Sequence, residues 1–114
     1  MSYIIYHNPR CTKSRQGLAY LSEKGIDPII KEYLKEELSK QELSDVIKHL
    51  GIKPEELVRK TEADYKDNYK GKSLSDDEWI GAMIKYPKLI QRPIIIHGDK
   101  AVVARPTERI DELL

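Results

Sequence analysis

The hydrophobic pattern of this chain changes period along its length, and each change marks an element. Tyr3 to Tyr6 (YIIY) is a short run of β-prone residues. From Thr12 to Lys24 the pattern turns helical, with Leu18 and Leu21 three apart, and Gly25 follows as a residue suited to ending a helix. Ile29 to Tyr33 predicts a second strand, which a helix of that length can bring parallel to the first through a right-handed crossover. Ser39 with Glu42 is the signature of a capping box ahead of Leu43, Val46, Ile47 and Leu50, spaced for one helical face, and Gly51 ends that helix. A second such pair, Ser75 with Glu78, precedes Trp79, Ile80, Met83 and Ile84, with Pro87 closing the helix. Between them, Pro54 predicts the start of a short helix carrying Arg59. Lys66 to Lys72, where lysines alternate with Asp67 and Tyr69, reads as a solvated loop. Pro93 to His97 and Ala101 to Ala104 flank Gly98 and Asp99, a hairpin signal, and a last helix is predicted from about Thr107 through Ile110 and Leu113.

The order is β, α, β, then helices, then a β-hairpin and a final helix. A parallel pair and an antiparallel pair can share one mixed four-stranded sheet covered by helices. That α/β arrangement is the thioredoxin-like layout, with a helical insertion between the βαβ unit and the C-terminal hairpin plus helix. The insertion is placed at about residues 38 to 90, and residues 1 to 114 are read as a single domain.

Composition narrows the function classes. With 34% charged residues the chain can bury only a modest core. A net charge of +1, from 20 basic and 19 acidic residues, argues against a globally basic nucleic-acid binder, so any anion chemistry has to be local. The N-terminus lacks the pattern of a secretory signal and no apolar run is long enough to cross a bilayer, which makes a cytoplasmic location the expectation, with neither nucleic acid nor membrane as partner. His7, His49 and His97 show no ligand spacing, and no metal is expected. Gly71-Lys72-Ser73 ends like a phosphate-binding loop, but Lys66 stands where its first glycine is needed.

The single cysteine changes the picture most. One thiol excludes an intramolecular disulfide, so any redox cycle at Cys11 borrows its second sulfur from another molecule. The turn residues Asn8 and Pro9 place Cys11 at or just before the first helical turn, where the free N–H groups of Lys13 and Ser14 can favour a thiolate and hold an oxyanion under attack. A lone thiol most often packs as a small hydrophobe. The flanking Arg10, Lys13 and Arg15 argue against an apolar niche and for activation. Arg92 precedes Pro93 and Arg105 precedes Pro106, which holds each arginine extended. An antiparallel hairpin puts those two residues side by side. Guanidinium forks match a tetrahedral oxyanion better than lysine does, and Arg59 is a third candidate for the same anion.

Four segments, YHNPRCTKSR at 6 to 15, LVRK at 57 to 60, PKLIQRPIII at 87 to 96 and ARPTE at 104 to 108, make the chain similar to the glutaredoxin-coupled arsenate reductases over nearly its whole length. The resemblance implies that Cys11 is the nucleophile and that Arg59, Arg92 and Arg105 bind arsenate and stabilise the arsenic intermediates. His7, Ser14 and Arg15 match the family loop, where the histidine helps depress the cysteine pKa, and Pro93 matches the cis-proline facing the thiol. It also implies a thiolate–arsenic adduct, glutathione as co-substrate, glutaredoxin as partner, and no bound cofactor. The residue three after Cys11 is Ser14, not a second cysteine, which argues against an autonomous disulfide reductase, and Gly17 stands where a phosphatase-type loop has arginine. Two other readings stay open. One is a thiol-stress regulatory module that binds RNA polymerase, although such regulators typically carry the C-x-x-C switch absent here. The other is a related monothiol reductase with a different substrate.

Overall fold

Three isoleucine-rich runs and one valine-bearing strand build the sheet. In the computed structural model, which describes residues 2–114, strands β1 (Tyr3–Tyr6), β2 (Ile29–Lys31), β3 (Ile94–His97) and β4 (Lys100–Val103) lie in the order β2-β1-β3-β4. β1 runs parallel to β2 and antiparallel to β3, and β3 runs antiparallel to β4. This is the mixed sheet expected from the element order.

The register explains the core. Ile5 stands opposite Ile95, and Ile95 opposite Val102, so three β-branched side chains share one sheet face. That face is covered by helix α1 (Thr12–Glu23) through Leu21 and by a C-terminal 3-10 helix (Thr107–Leu113) through Ile110 and Leu113. Gly25, in the left-handed region at φ 76°, ends α1 as the terminator role requires.

These elements belong to one compact unit, which runs up to Glu37 and resumes over Arg92–Leu114; Leu38–Gln91 forms a second. In the second unit, α2 (Lys40–Leu50) packs on α4 (Asp76–Lys85), burying Leu43, Val46 and Ile47 on one helix and Trp79, Ile80 and Met83 on the other. Both helices start at the serines expected. Ser39 Oγ accepts from the Glu42 N–H at 3.1 Å, and Ser75 Oγ accepts from the Glu78 N–H at 3.2 Å while Glu78 Oε1 accepts from the Ser75 N–H at 3.0 Å.

Four expectations need correction. β2 ends at Lys31, not Tyr33, because Glu32 opens a turn whose carbonyl accepts from the Lys35 and Glu36 N–H groups. The hairpin strands are Ile94–His97 and Lys100–Val103, since Gly98 at φ 65° turns the chain tightly enough to pair His97 with Lys100. The short helix is a 3-10 turn over Pro54–Leu57, and Arg59 lies beyond it because Val58 is already extended and bridges to Ile90. Finally, the lysine-rich stretch is partly helical: α3 (Ala63–Asn68) places Tyr65 and Tyr69 one turn apart, with ring centroids 6.3 and 5.9 Å from that of Trp79.

Candidate active site

The loop between β1 and α1 is built from its own side chains. Asn8 Oδ1 accepts from the Arg10 N–H at 3.0 Å and the Asn8 carbonyl accepts from the Cys11 N–H at 3.0 Å, a turn closed by an asparagine side chain. Arg15 clamps the outside, donating from Nη1 to the Pro9 carbonyl at 2.8 Å and from Nη2 to Thr12 Oγ1 at 3.2 Å. Inside, the fully buried Ser14 Oγ accepts from the Asn8 N–H at 3.0 Å and meets His7 Nδ1 at 2.7 Å. Cys11 is thereby set at the N-cap of α1 with extended backbone, and its carbonyl accepts the first helical bond, from the Arg15 N–H.

Cys11 makes no side-chain capping bond and α1 has no acidic residue in its first turn. The helix's free N–H groups therefore face the sulfur without competition. Burial is the largest single influence on the thiol and opposes ionisation. The Ser14 N–H, the Arg92 guanidinium and the Lys13 N–H act the other way, and together they hold the Cys11 pKa below the ordinary thiol value.

Arg92 and Arg105 arrive together, as the hairpin expectation requires. Arg105 Nε donates to the Arg92 carbonyl at 2.8 Å, which aims its guanidinium, and its Nη2 stands 3.8 Å from Cys11 Sγ. Arg92 is buried, and of the two it exerts the stronger pull on the thiol. Both Arg92–Pro93 and Arg105–Pro106 are cis. The Pro93 carbonyl accepts from the Ala104 N–H at 2.9 Å, tying the two Arg-Pro segments at a second point.

His7 is a buried member of the same loop. Burial is the chief influence on its ring and, with Arg15, lowers its pKa against the opposing pull of Glu32. A neutral imidazole supplies no positive charge to the sulfur. Its hydrogen bond goes to Ser14 Oγ, so it holds in place the residue whose N–H faces the thiol.

One contact has no counterpart in the sequence reading. A Cβ placed on the buried Gly17 would lie 2.8 Å from Pro93 Cγ, so α1 approaches the cis-proline segment as closely as only glycine permits. The glycine stood in plain view as a helix-interior residue of poor helix propensity, the signal that a close approach leaves.

Arg59 belongs to the second unit. A short ladder positions it: the Gln91 N–H donates to the Leu57 carbonyl at 2.9 Å, Val58 bridges Ile90, and the Arg59 N–H donates to the Leu89 carbonyl at 2.6 Å. Its Nη1 lies 3.4 Å from Glu62 Oε1. Sequence reasoning missed Glu62, although the spacing of three was visible. Among the described residues, no group of three or more His, Cys, Asp or Glu is placed to hold a metal ion, and no helix is long and apolar enough to cross a membrane.

Comparison with known proteins converges on one family. The ArsC family model matches residues 6–113. A curated relative, the arsenate reductase of Haemophilus influenzae, is 46% identical over 116 residues that span all of both chains. The uncharacterised protein YfgD of Escherichia coli is 42% identical over 96% of this chain and 94% of its own. Among solved structures, an arsenate reductase from Vibrio cholerae superposes with a TM-score of 0.95 at 42% identity, covering 100% of this chain and 98% of that one. A thiolate-favouring N-cap cysteine, two arginines brought to it by a cis-proline hairpin, and this similarity along the full sequence have one reading: the chain belongs to the ArsC family of arsenate reductases, with its thioredoxin-like fold.

Proposed function

We propose that the protein reduces arsenate to arsenite through Cys11. The thiolate attacks the arsenic of a protonated arsenate, forming a sulfur–arsenic(V) bond and releasing one oxygen as water once protons are taken up. Lys13 and Ser14 N–H groups and the forks of Arg92 and Arg105 hold the oxygens as negative charge gathers on them. Arg59, by its match to the family segment, contributes a third guanidinium. Glutathione then condenses on the adduct through its sulfur. A glutaredoxin thiolate attacks that glutathione sulfur, the electron pair of the sulfur–arsenic bond stays on arsenic, and the mixed disulfide carries away the two oxidising equivalents. Water releases arsenite and restores Cys11. No bound cofactor enters the cycle, and the cytoplasm, where glutathione is reduced, suits it.

The observation that carries this reading is the convergence on the chain's one thiol of helix N–H donors and two guanidiniums, with no second cysteine to complete a disulfide relay. The test is arsenate-dependent oxidation of NADPH coupled through glutathione reductase, with glutathione and glutaredoxin supplied. Turnover is expected only when both are present. Sustained turnover on thioredoxin alone would reject the coupling, and no turnover with any donor would reject the activity.

A further inference from the structure

The ion pairs of this protein are not alike. Lys60–Glu55 leaves both side chains 52% exposed, and Lys40–Asp77 leaves them 53% and 81% exposed. Arg59–Glu62 leaves its side chains only 19% and 27% exposed. Its geometry is imposed by the backbone. The Arg59 N–H is pinned to Leu89, and the Glu62 N–H donates back to the Arg59 carbonyl at 3.2 Å, closing a turn that brings the two side chains together. Lys60, between them, is drawn off to Glu55 at 2.9 Å, so the two bases Arg59 and Lys60 go to different acids.

A half-buried guanidinium already facing a carboxylate is not a free anion receptor. An arriving oxyanion has to share or take the donors of Arg59 while standing near the Glu62 charge, and in a partly desolvated setting that repulsion is only partly screened. We propose that Glu62 is the resident counter-anion of Arg59 and that substrate competes with it, so that Glu62 is a positioning residue that sets the affinity for tetrahedral oxyanions. The inference rests on the reading of Arg59 as a substrate ligand. Because arsenate and phosphate share shape and charge, Glu62 opposes both equally: it governs strength of binding and leaves the choice between them untouched.

The experiment is steady-state arsenate reduction with inorganic phosphate as competing probe, in the wild-type protein and in Glu62→Gln, Glu55→Gln and Arg59→Ala. Glu62→Gln keeps size and an acceptor oxygen but removes the charge. It is expected to lower KM for arsenate and the inhibition constant of phosphate by the same factor, roughly 3- to 10-fold, the scale of one partly buried ion pair, with kcat within about twofold. Glu55→Gln removes an equal charge from the same segment and is expected to change neither constant, which separates the local contact from net charge. Unchanged or raised KM in Glu62→Gln, or an equal gain in Glu55→Gln, overturns the inference. If Arg59→Ala raises KM while Glu62→Gln does nothing, the inference alone fails. If Arg59→Ala leaves KM unchanged, the reading of Arg59 as a ligand fails with it.

Discussion

The start of α1 and the starts of α2 and α4 solve the same problem in opposite ways. Every helix begins with N–H groups that lack partners in the helix. At α2 and α4 a serine takes one of them, and acids occupy the first turn, three of them at α4: Asp76, Asp77 and Glu78. At α1 the cap position holds Cys11, which makes no capping bond, and no acid follows it. The first two helices use their ends for stability. The third leaves its positive end open to a sulfur and to whatever anion the sulfur attacks. The difference teaches that an uncapped helix beside a cysteine can be read as a site, provided other cations are brought to the same sulfur, as Arg92 and Arg105 are here.

The comparison can be broken most drastically at the cap itself. Cys11→Ser is expected to abolish arsenate reduction in the coupled assay, whereas Ser14→Ala, which spares the Ser14 N–H, is expected to retain measurable turnover. Equal loss from both would show that the backbone donors are not what Ser14 supplies.

Next in size are the arginines. Replacing Arg92 or Arg105 by lysine keeps the charge and loses the fork, and kcat/KM is expected to fall roughly 10- to 1000-fold. Melting temperature is expected to change little for Arg105, which is only partly buried. Arg92→Lys is further expected to raise the pH midpoint of thiol alkylation, because it removes an oriented donor from the sulfur. Near-wild-type kinetics in both variants would defeat the anion-site reading.

Two helix glycines give a paired test by thermal unfolding. Gly17→Ala sets a Cβ 2.8 Å from the ring carbon of a fully buried proline that cannot rotate aside, and overpacking of that kind costs about 1–3 kcal/mol. Gly81 in α4 has nothing within 4 Å of the corresponding position, so Gly81→Ala is expected to stabilise by up to about 1 kcal/mol through helix propensity. The same substitution has opposite signs because only one glycine stands against the site.

Smaller again, Ser39→Ala and Ser75→Ala are each expected to cost about 1 kcal/mol in denaturant unfolding, with thiol reactivity unmoved.

The smallest effect sharpens the contrast by giving α1 what α4 has. Thr12→Asp puts an acid in its first turn and is expected to raise the Cys11 pKa, read as slower alkylation at mildly acidic pH. The linkage follows in sign. A folded-state pKa held below the unfolded one adds stability that is complete above the unfolded value and is lost as pH falls through the folded value. The stability of the wild type relative to Cys11→Ser is therefore expected to decline across that window on acidification, and a flat difference would contradict the thiolate assignment.

The parts of this protein that the sequence determined by itself are those governed by neighbours within a turn or two. Ser39 and Ser75 announce helix starts because a cap bonds a residue three positions on; Gly25 and Gly98 mark chain reversals because only glycine reaches those φ values cheaply. The isoleucine runs announce strands, and Cys11 beside Asn8 and Pro9 announces an N-cap thiol. The absence of a second cysteine is a matter of counting. What only the tertiary structure decided are relations between residues far apart in the chain, which no local pattern records. Gly17 meets Pro93 across 76 positions, and nothing near either residue signals the other. Tyr65 and Tyr69 turn a lysine-rich stretch into α3 because Trp79 offers them a surface. His7 became a buried support with a lowered pKa because folding takes its ring out of water and sets it 2.7 Å from Ser14 Oγ. Arg59 gained an acid that its own helix prediction had no reason to supply, since the ladder to Leu89 and Gln91, thirty residues on, sets where the turn to Glu62 begins. Burial and charge act through space, and the chain specifies them only once it is folded.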